Sequence, residues 1–352
     1  MRFEYFREVL EKTIRGLNPA GFAMVMATGI VSIAMNVQGW DVGSSILMWI
    51  GIVAYAVLVV AYLVRFVRYR HAVATDLRIP SRTFGFFTVV AGTGVLGSRL
   101  LLDGAIRWAE IALIVTTVLW AILGYLLPAV AFGARKDEAP LRTADGSWFV
   151  WVVATQAVAV LASSLQPELE TWRTELALLA VFCWAVGVFL YVAVAVFVAA
   201  RLLFSRPAPA DVSGAYWVAM GATAISVVAG AHIGDMTDVP LLDVVGSTVA
   251  AATFLLWAFG TWLVPALLVA GYWRHVIHRV PLRYDVSLWT IVFPLGMYGV
   301  ASRTLGDTHD LPIVDGIGHA EIWLAVIAWG VTFLAMVWSL GRRLSARDAR
   351  TP

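Results

Sequence analysis

The sequence predicts an all-α integral membrane protein of about ten transmembrane helices, arranged as five helical hairpins around a central pore. Three observations carry this. Of 352 residues, 61% are hydrophobic and 14% charged, more apolar surface than a water-soluble chain of this length can bury. Apolar runs long enough to cross a bilayer follow one another along nearly the whole chain, with no long loop between them. One pattern of aromatic, hydroxyl and small residues returns five times, in alternate runs.

Residues 1–17 place Phe3, Phe6, Leu10 and Ile14 on one helical face, with acids among the bases. That predicts a short interfacial helix on the cytoplasmic surface, and does not fit a cleaved signal. Residues 18–342 form the ten-helix spanning domain. Its runs fall at 18–38, 44–66, 84–102, 107–131, 147–165, 174–202, 213–234, 241–272, 285–305 and 315–341. Asn18 before Pro19 reads as an N-cap with Pro at the first helical position. Ser81, Ser147, Ser213 and Asp285 stand just before the third, fifth, seventh and ninth spans. Residues 343–352 form a basic tail.

Of the 25 Lys and Arg residues, 21 fall on the side of the two termini, leaving Arg99, Arg107, Arg173 and Arg303 for the other. This bias predicts both termini in the cytoplasm, with the protein multi-pass in the plasma or inner membrane. The single cysteine, Cys183, excludes an intrachain disulfide and a multi-cysteine metal site.

The repeat is clearest on the Thr of "ATG". Phe22, Val25, Thr28, Gly29 and Ser32 match Phe87, Val90, Thr93, Gly94 and Gly97, then Phe149, Val152, Thr155, Gln156 and Ala159. They match Trp217, Met220, Thr223, Ala224 and Val227, and finally Trp289, Val292, Leu295, Gly296 and Gly299. The unit recurs every 62–72 residues, as one patterned helix and one plainer helix. Equivalent hairpins inserted the same way imply a ring, with odd helices inside and even helices facing lipid. The stripe 22–25–29–32 is one helical face. Its small residues suit either close helix packing or a narrow pore wall, and fivefold repetition favours the wall. Pore-lining candidates are therefore Met26, Thr28, Gly29, Thr93, Gly94, Thr155, Gln156, Gly221, Thr223 and Gly296. A membrane Thr also bonds its own helix readily, and Gln156 would suit a helix bridge as well as a permeant ion.

Four residues after each aromatic stand Met26, Ala91, Val153, Gly221 and Phe293. Phe293 is the one large ring of this tier and precedes the helix-kinking Pro294, which makes the pair a candidate gate. Arg99 and Arg303 follow the small-residue stripes at the outward ends of the third and ninth spans. They would snorkel to headgroups or form an anion-attracting mouth. No Asp or Glu falls deep in an odd span, which argues against a carboxylate proton relay.

These motifs, "GFAMVMATGIVSIA", "FGFFTVVAGTGVLGSR", "WFVWVVATQAVAVLA", "YWVAMGATAISVVAGA" and "FPLGMYGVAS", resemble the pore helices of the tellurite-resistance/dicarboxylate transporter family. That family includes slow-type anion channels, malate permeases and sulfite exporters. The resemblance covers about residues 15–340. It implies five hairpins around one pore, a homotrimer with a pore in each protomer, and a gating aromatic that falls on Phe293. It also implies small inorganic or carboxylate anions as the transported partners. The expected function is anion passage through a gated, Phe-occluded pore, with secondary active transport of a C4-dicarboxylate, sulfite or a tellurite-linked anion as the alternative.

Enzyme readings find little support. There is no P-loop, no facing histidine pair for haem, and no Ser-His-Asp arrangement. The segment 306–321 gathers Asp307, His309, Asp310, Asp315, His319 and Glu321, for which a solvated acidic loop is the simplest reading and no metal is assigned. No cofactor and no nucleic-acid partner is expected.

Overall fold

A computed structural model describes residues 10–133, 143–205 and 208–348, and among these every regular element is helical. Ten long helices follow the expected spans. They are α1 (Ala23–Val37), α2 (Asp41–Arg68), α3 (Phe87–Leu102), α4 (Ile106–Gly133) and α5 (Phe149–Leu165). Then come α6 (Arg173–Ser205), α7 (Val218–Gly234), α8 (Leu241–Tyr272), α9 (Trp289–Thr308) and α10 (Pro312–Asp348).

The odd helices pack side by side in a closed ring: α1 on α3, α3 on α5, α5 on α7, α7 on α9, and α9 back on α1. Each even helix packs on the odd helix before it and also reaches the next one round, forming an outer ring. The burial contrast follows. Between 67% and 89% of the most apolar stretch of α1, α3, α5 and α7 is buried, against 6–33% for the even helices. Nine helices among the described residues are long and apolar enough to cross a membrane, and α9 is not one of them. Yet 15 of its 20 residues are buried. Shielded by α8 and α10, α9 can carry Thr290, Ser302, Arg303 and Thr304 without facing lipid.

Each odd helix starts with one tight 3-10 turn: Pro19–Phe22, Phe84–Phe86, Gly146–Trp148, Gly214–Trp217 and Val286–Leu288. Asn18 Oδ1 accepts from Ala20 N, Asp145 Oδ1 from Ser147 N, Ser213 Oγ from Ala215 N, and Asp285 Oδ1 from Ser287 N. These caps all lie four residues before the aromatic of the repeat, and Thr83 holds that place in the third span. Ser81 and Ser147 are therefore not caps. Ser81 sits inside the short helix Pro80–Thr83, and Ser147 lies within its turn and donates to Asp145. Burial pushes the Asp145 carboxyl up from its ordinary range, while the Ser147 bonds and the Arg201 guanidinium pull it back.

The five turns touch one another in the same cyclic order as the helices they begin. At Gly146 a Cβ would lie 2.4 Å from the Ala215 backbone, so only glycine allows that approach. All five odd helices thus run parallel from one side, called here the near side, towards the far side.

At the chain ends the picture is partial. Residues 10–15 are helical, and residues 1–9 of the expected surface helix lie outside the described residues. α10 continues to Asp348, so the backbone of 343–348 extends the last helix, and 349–352 lie outside the described residues.

Candidate functional site

A cavity of about 130 Å³ opens on the axis of the inner ring. All five odd helices line it, and they do so with the same positions. Eight residues after the aromatic of each repeat come Ile30, Val95, Ala157, Ile225 and Met297. Eleven after come Ile33, Ser98, Val160, Val228 and Val300, and fifteen after come Val37, Leu102, Ser164, His232 and Thr304. Offsets of 8, 11 and 15 fall on one helical face, so the fivefold pattern of the sequence becomes a fivefold wall.

Offset 4 lies on that same face. Its residues Met26, Ala91, Val153, Gly221 and Phe293 are all buried, and none of them borders the cavity. The cavity ends at this level. Phe293 is 1% exposed and packs into the space that Gly221 leaves. A Cβ at Gly221 would lie 3.2 Å from Phe293 Cε1 and 2.9 Å from Pro294 Cγ. Pro294 donates no hydrogen bond to the turn before it. Phe293 and Pro294 thus both pack against Gly221 of the neighbouring helix, with Phe293 on the face that lines the cavity further along α9.

The Thr tier is elsewhere. Offset 6 is roughly half a turn round from the cavity face, and its residues meet the outer ring. Thr28 Oγ1 accepts from Trp329 Nε1 of α10 at 3.0 Å, and Thr155 Oγ1 from Trp120 Nε1 of α4 at 2.9 Å. Thr93 Oγ1 lies 2.8 Å from the Tyr55 hydroxyl of α2. Thr93 already donates to Val89 O, so the tyrosine is the donor here. Thr223 donates to Met220 O and faces Gly260 of α8, where a Cβ would lie 2.5 Å from its Oγ1. None of the four borders the cavity.

Offset 7 is the seam between neighbouring inner helices. A Cβ at Gly29 would lie 2.8 Å from Val95 Cγ1, one at Gly94 3.0 Å from Ala157 Cβ, and one at Gly296 3.0 Å from Ile30 Cγ2. Small residues here let backbones approach. Gly94 alone of these also borders the cavity. Gln156, at the same offset, turns outward and donates to Trp184 O of α6 at 3.2 Å. A Cβ at Gly187 would strike its amide at 2.4 Å.

The outer helices are less plain than expected. Tyr55, Trp120, Trp184, Trp257 and Trp329 recur every 64–73 residues, one per even helix. Each donates to the next inner helix round the ring. Tyr55, Trp120 and Trp329 reach the Thr tier, Trp184 Nε1 reaches Ser226 O at 3.0 Å, and Trp257 Nε1 reaches Ser302 Oγ at 3.0 Å. This polar belt between the rings went unread in the sequence, and its even spacing is the one signal that marks it.

The two arginines do not form a charged mouth. Arg99 is 1% exposed and wedged among three helices. Its Nε donates to Ser32 Oγ at 2.9 Å and Ser44 Oγ at 3.1 Å, and its guanidinium holds Asp103 at 2.7 Å. Arg303 pairs with Asp315 of α10 at 2.6 Å, and its backbone lies against Gly318. Both arginines turn towards even helices, and each is neutralised by a carboxylate. Asp315 is thereby spent within the segment 306–321, and no group of three metal-capable side chains gathers among the described residues.

Comparison with known proteins agrees with this architecture. A family profile described as voltage-dependent anion channel matches residues 16–337. Two proteins of Methanocaldococcus jannaschii, each described as an uncharacterized transporter, are 23% identical to the chain. One aligns over 91% of this chain and 92% of its own length, the other over 93% and 96%. An uncharacterized membrane protein of Mycobacterium tuberculosis is 55% identical over 43% of this chain and 77% of its own. The chain is a multi-pass membrane transporter of anions and belongs to the voltage-dependent anion channel family.

Proposed function

We propose that the protein is a gated anion channel whose path is the axis of the inner ring. The observation that carries this reading is the cavity wall: five parallel helices contribute offsets 8, 11 and 15, and the cavity stops at the buried Phe293 tier. A phenyl ring on a tier of otherwise modest side chains is a steric and dewetting barrier. Movement of Phe293 away from Gly221, hinged at Pro294, would join the two halves of the axis.

Anions rather than cations suit the lining. No Asp or Glu borders the cavity. Five helix N-termini gather on the near side and add partial positive charge there. Arg99 and Arg303 contribute nothing to this, because both are paired away from the axis. The excess of Lys and Arg on the near side supports a cytoplasmic location for that side in the plasma or inner membrane. A homotrimer, each copy with its own axis, fits the exposed apolar outer ring as well as lipid does, and its mass in detergent tests it.

Reversal potentials in liposomes under chloride, nitrate, sulfite and malate gradients test the proposal. A channel gives potentials that follow the anion gradient alone. Potentials that also follow a proton or sodium gradient would show coupled carriage and overturn the channel reading.

A further inference from the structure

We infer that Ser164, His232 and Thr304 form an anion-coordinating site at the far end of the cavity. The inference rests on the axis being the anion path. All three side chains occupy offset 15 and border the cavity, on α5, α7 and α9, which are consecutive in the ring. The other two residues of that tier, Val37 and Leu102, are apolar. One side of the far mouth is therefore polar and the opposite side is greasy.

Ser164 Oγ lies 2.7 Å from His232 Nδ1. The pair offers an anion a donor in either tautomer. If the serine hydroxyl donates to Nδ1, the ring proton sits on Nε2 and is free. If Nδ1–H donates to the serine oxygen, the serine proton is free. Protonated histidine frees both donors and adds a unit charge. No hydrogen bond ties His232 Nε2 or the Thr304 hydroxyl to another described residue. A cavity of about 130 Å³ has room for one small anion with a few waters.

The charged groups around His232 are few. Asp235 follows it on the same helix and borders a separate pocket with His309 of the α9 end. On the α6 side Arg173 is held by Asp238, and on α8 the nearest acid in sequence is Asp243 in its first turn. α1, α3, α5 and α9 present no carboxylate to the cavity. A bound anion would therefore meet the imidazole as the one switchable charge in its lining.

The test uses the full chain and two readouts. In detergent, chloride and nitrate are titrated against thermal stability at about pH 4.5 and about pH 8, a span that reaches well below histidine's ordinary range. In liposomes, anion flux is measured while only the far-side pH changes. The parent should bind anions on the order of tenfold more tightly at the lower pH. His232→Gln should abolish that pH dependence, and Ser164→Ala and Thr304→Val should each weaken anion binding at both pH values. A role confined to bridging α5 and α7 would lower the melting temperature of His232→Gln without changing its anion dependence. Identical anion and pH profiles in the parent and all three variants would overturn the site. A parent that binds anions through His232 yet passes none would leave the site standing and overturn the channel instead.

Discussion

The near and far halves of the axis are built from the same five helices and the same face of each, yet they are opposites. On the near side, offset 4 is closed: Met26, Ala91, Val153 and Phe293 are buried, and Phe293 occupies the room left by Gly221. On the far side, offsets 8 to 15 enclose open space and finish in a tier with three polar side chains. A perfect fivefold repeat would put five identical side chains in each tier. The difference comes from a few substitutions within the repeat, a phenyl ring against a glycine at one level and Ser, His and Thr at another. Sequence symmetry sets the wall, and departures from it set what the wall does at each depth.

Removing the ring that closes the near half is the strongest way to break this contrast. Phe293→Ala should raise anion flux by on the order of tenfold or more, because a dewetted constriction becomes continuous with the cavity. Flux in liposomes, normalised to folded protein, measures it. Unchanged or lower flux from a well-folded variant would remove the gate.

Arg99 sharpens the contrast from outside the axis. Because it is buried among Ser32, Ser44 and Asp103, Arg99→Gln should cost about 2–4 kcal/mol of stability, the worth of a few charge-assisted hydrogen bonds. Thermal unfolding in detergent measures this. The salt dependence of flux should not change. A steeper loss of flux at low salt than at high salt would return Arg99 to the mouth of the path.

A third comparison separates seam from axis. Gly29→Leu inserts a side chain where even a Cβ would lie 2.8 Å from Val95. It should destabilise by about 1–3 kcal/mol through overpacking. Val228→Phe instead grows into the cavity, so it should lower flux while largely keeping the melting temperature. The reverse outcome, a stable but inactive Gly29→Leu, would mean that offset 7 faces the path after all.

Much of the architecture is legible in the sequence. The hairpin count and the two rings follow from hydropathy and the repeat, and the bulk of Phe293 in a modest tier is read from the sequence alone. The rotation of each inner helix did not follow. Thr28 and Gly29 looked like pore residues because small and hydroxyl side chains mark both a narrow wall and a close helix contact. An inner helix is apolar on every side, so no polar stripe told one face from another. Gln156 misled in the same way, since its amide found Trp184 rather than the axis. Distance along a span sets the depth of Arg99 and Arg303 and carries no information about their direction around the helix. The belt of Tyr55, Trp120, Trp184, Trp257 and Trp329 could have been found by its spacing, but it was hidden among 16 tryptophans.

That belt yields the smallest expected effect. Trp120 of α4 donates to Thr155 Oγ1 of α5, and the threonine in turn donates to Trp151 O. In Trp120→Phe the Thr155 hydroxyl keeps its own acceptor, so no buried donor is orphaned. Hydrogen bonds between membrane helices average about 0.6 kcal/mol and seldom exceed about 1.7 kcal/mol. A double-mutant cycle of Trp120→Phe with Thr155→Val, read by thermal unfolding in detergent, should return a coupling in that range. Flux should stay near the parent's, because offset 6 points away from the cavity. The same cycle on Trp329 and Thr28 should give a similar coupling, since the geometry repeats one hairpin away at 3.0 Å. If both cycles couple and neither changes flux, the Thr tier joins the two rings. If Thr155→Val alone reduces flux with the fold intact, the tier contributes to the path despite facing outward, and the contrast between the two faces of the inner helices fails.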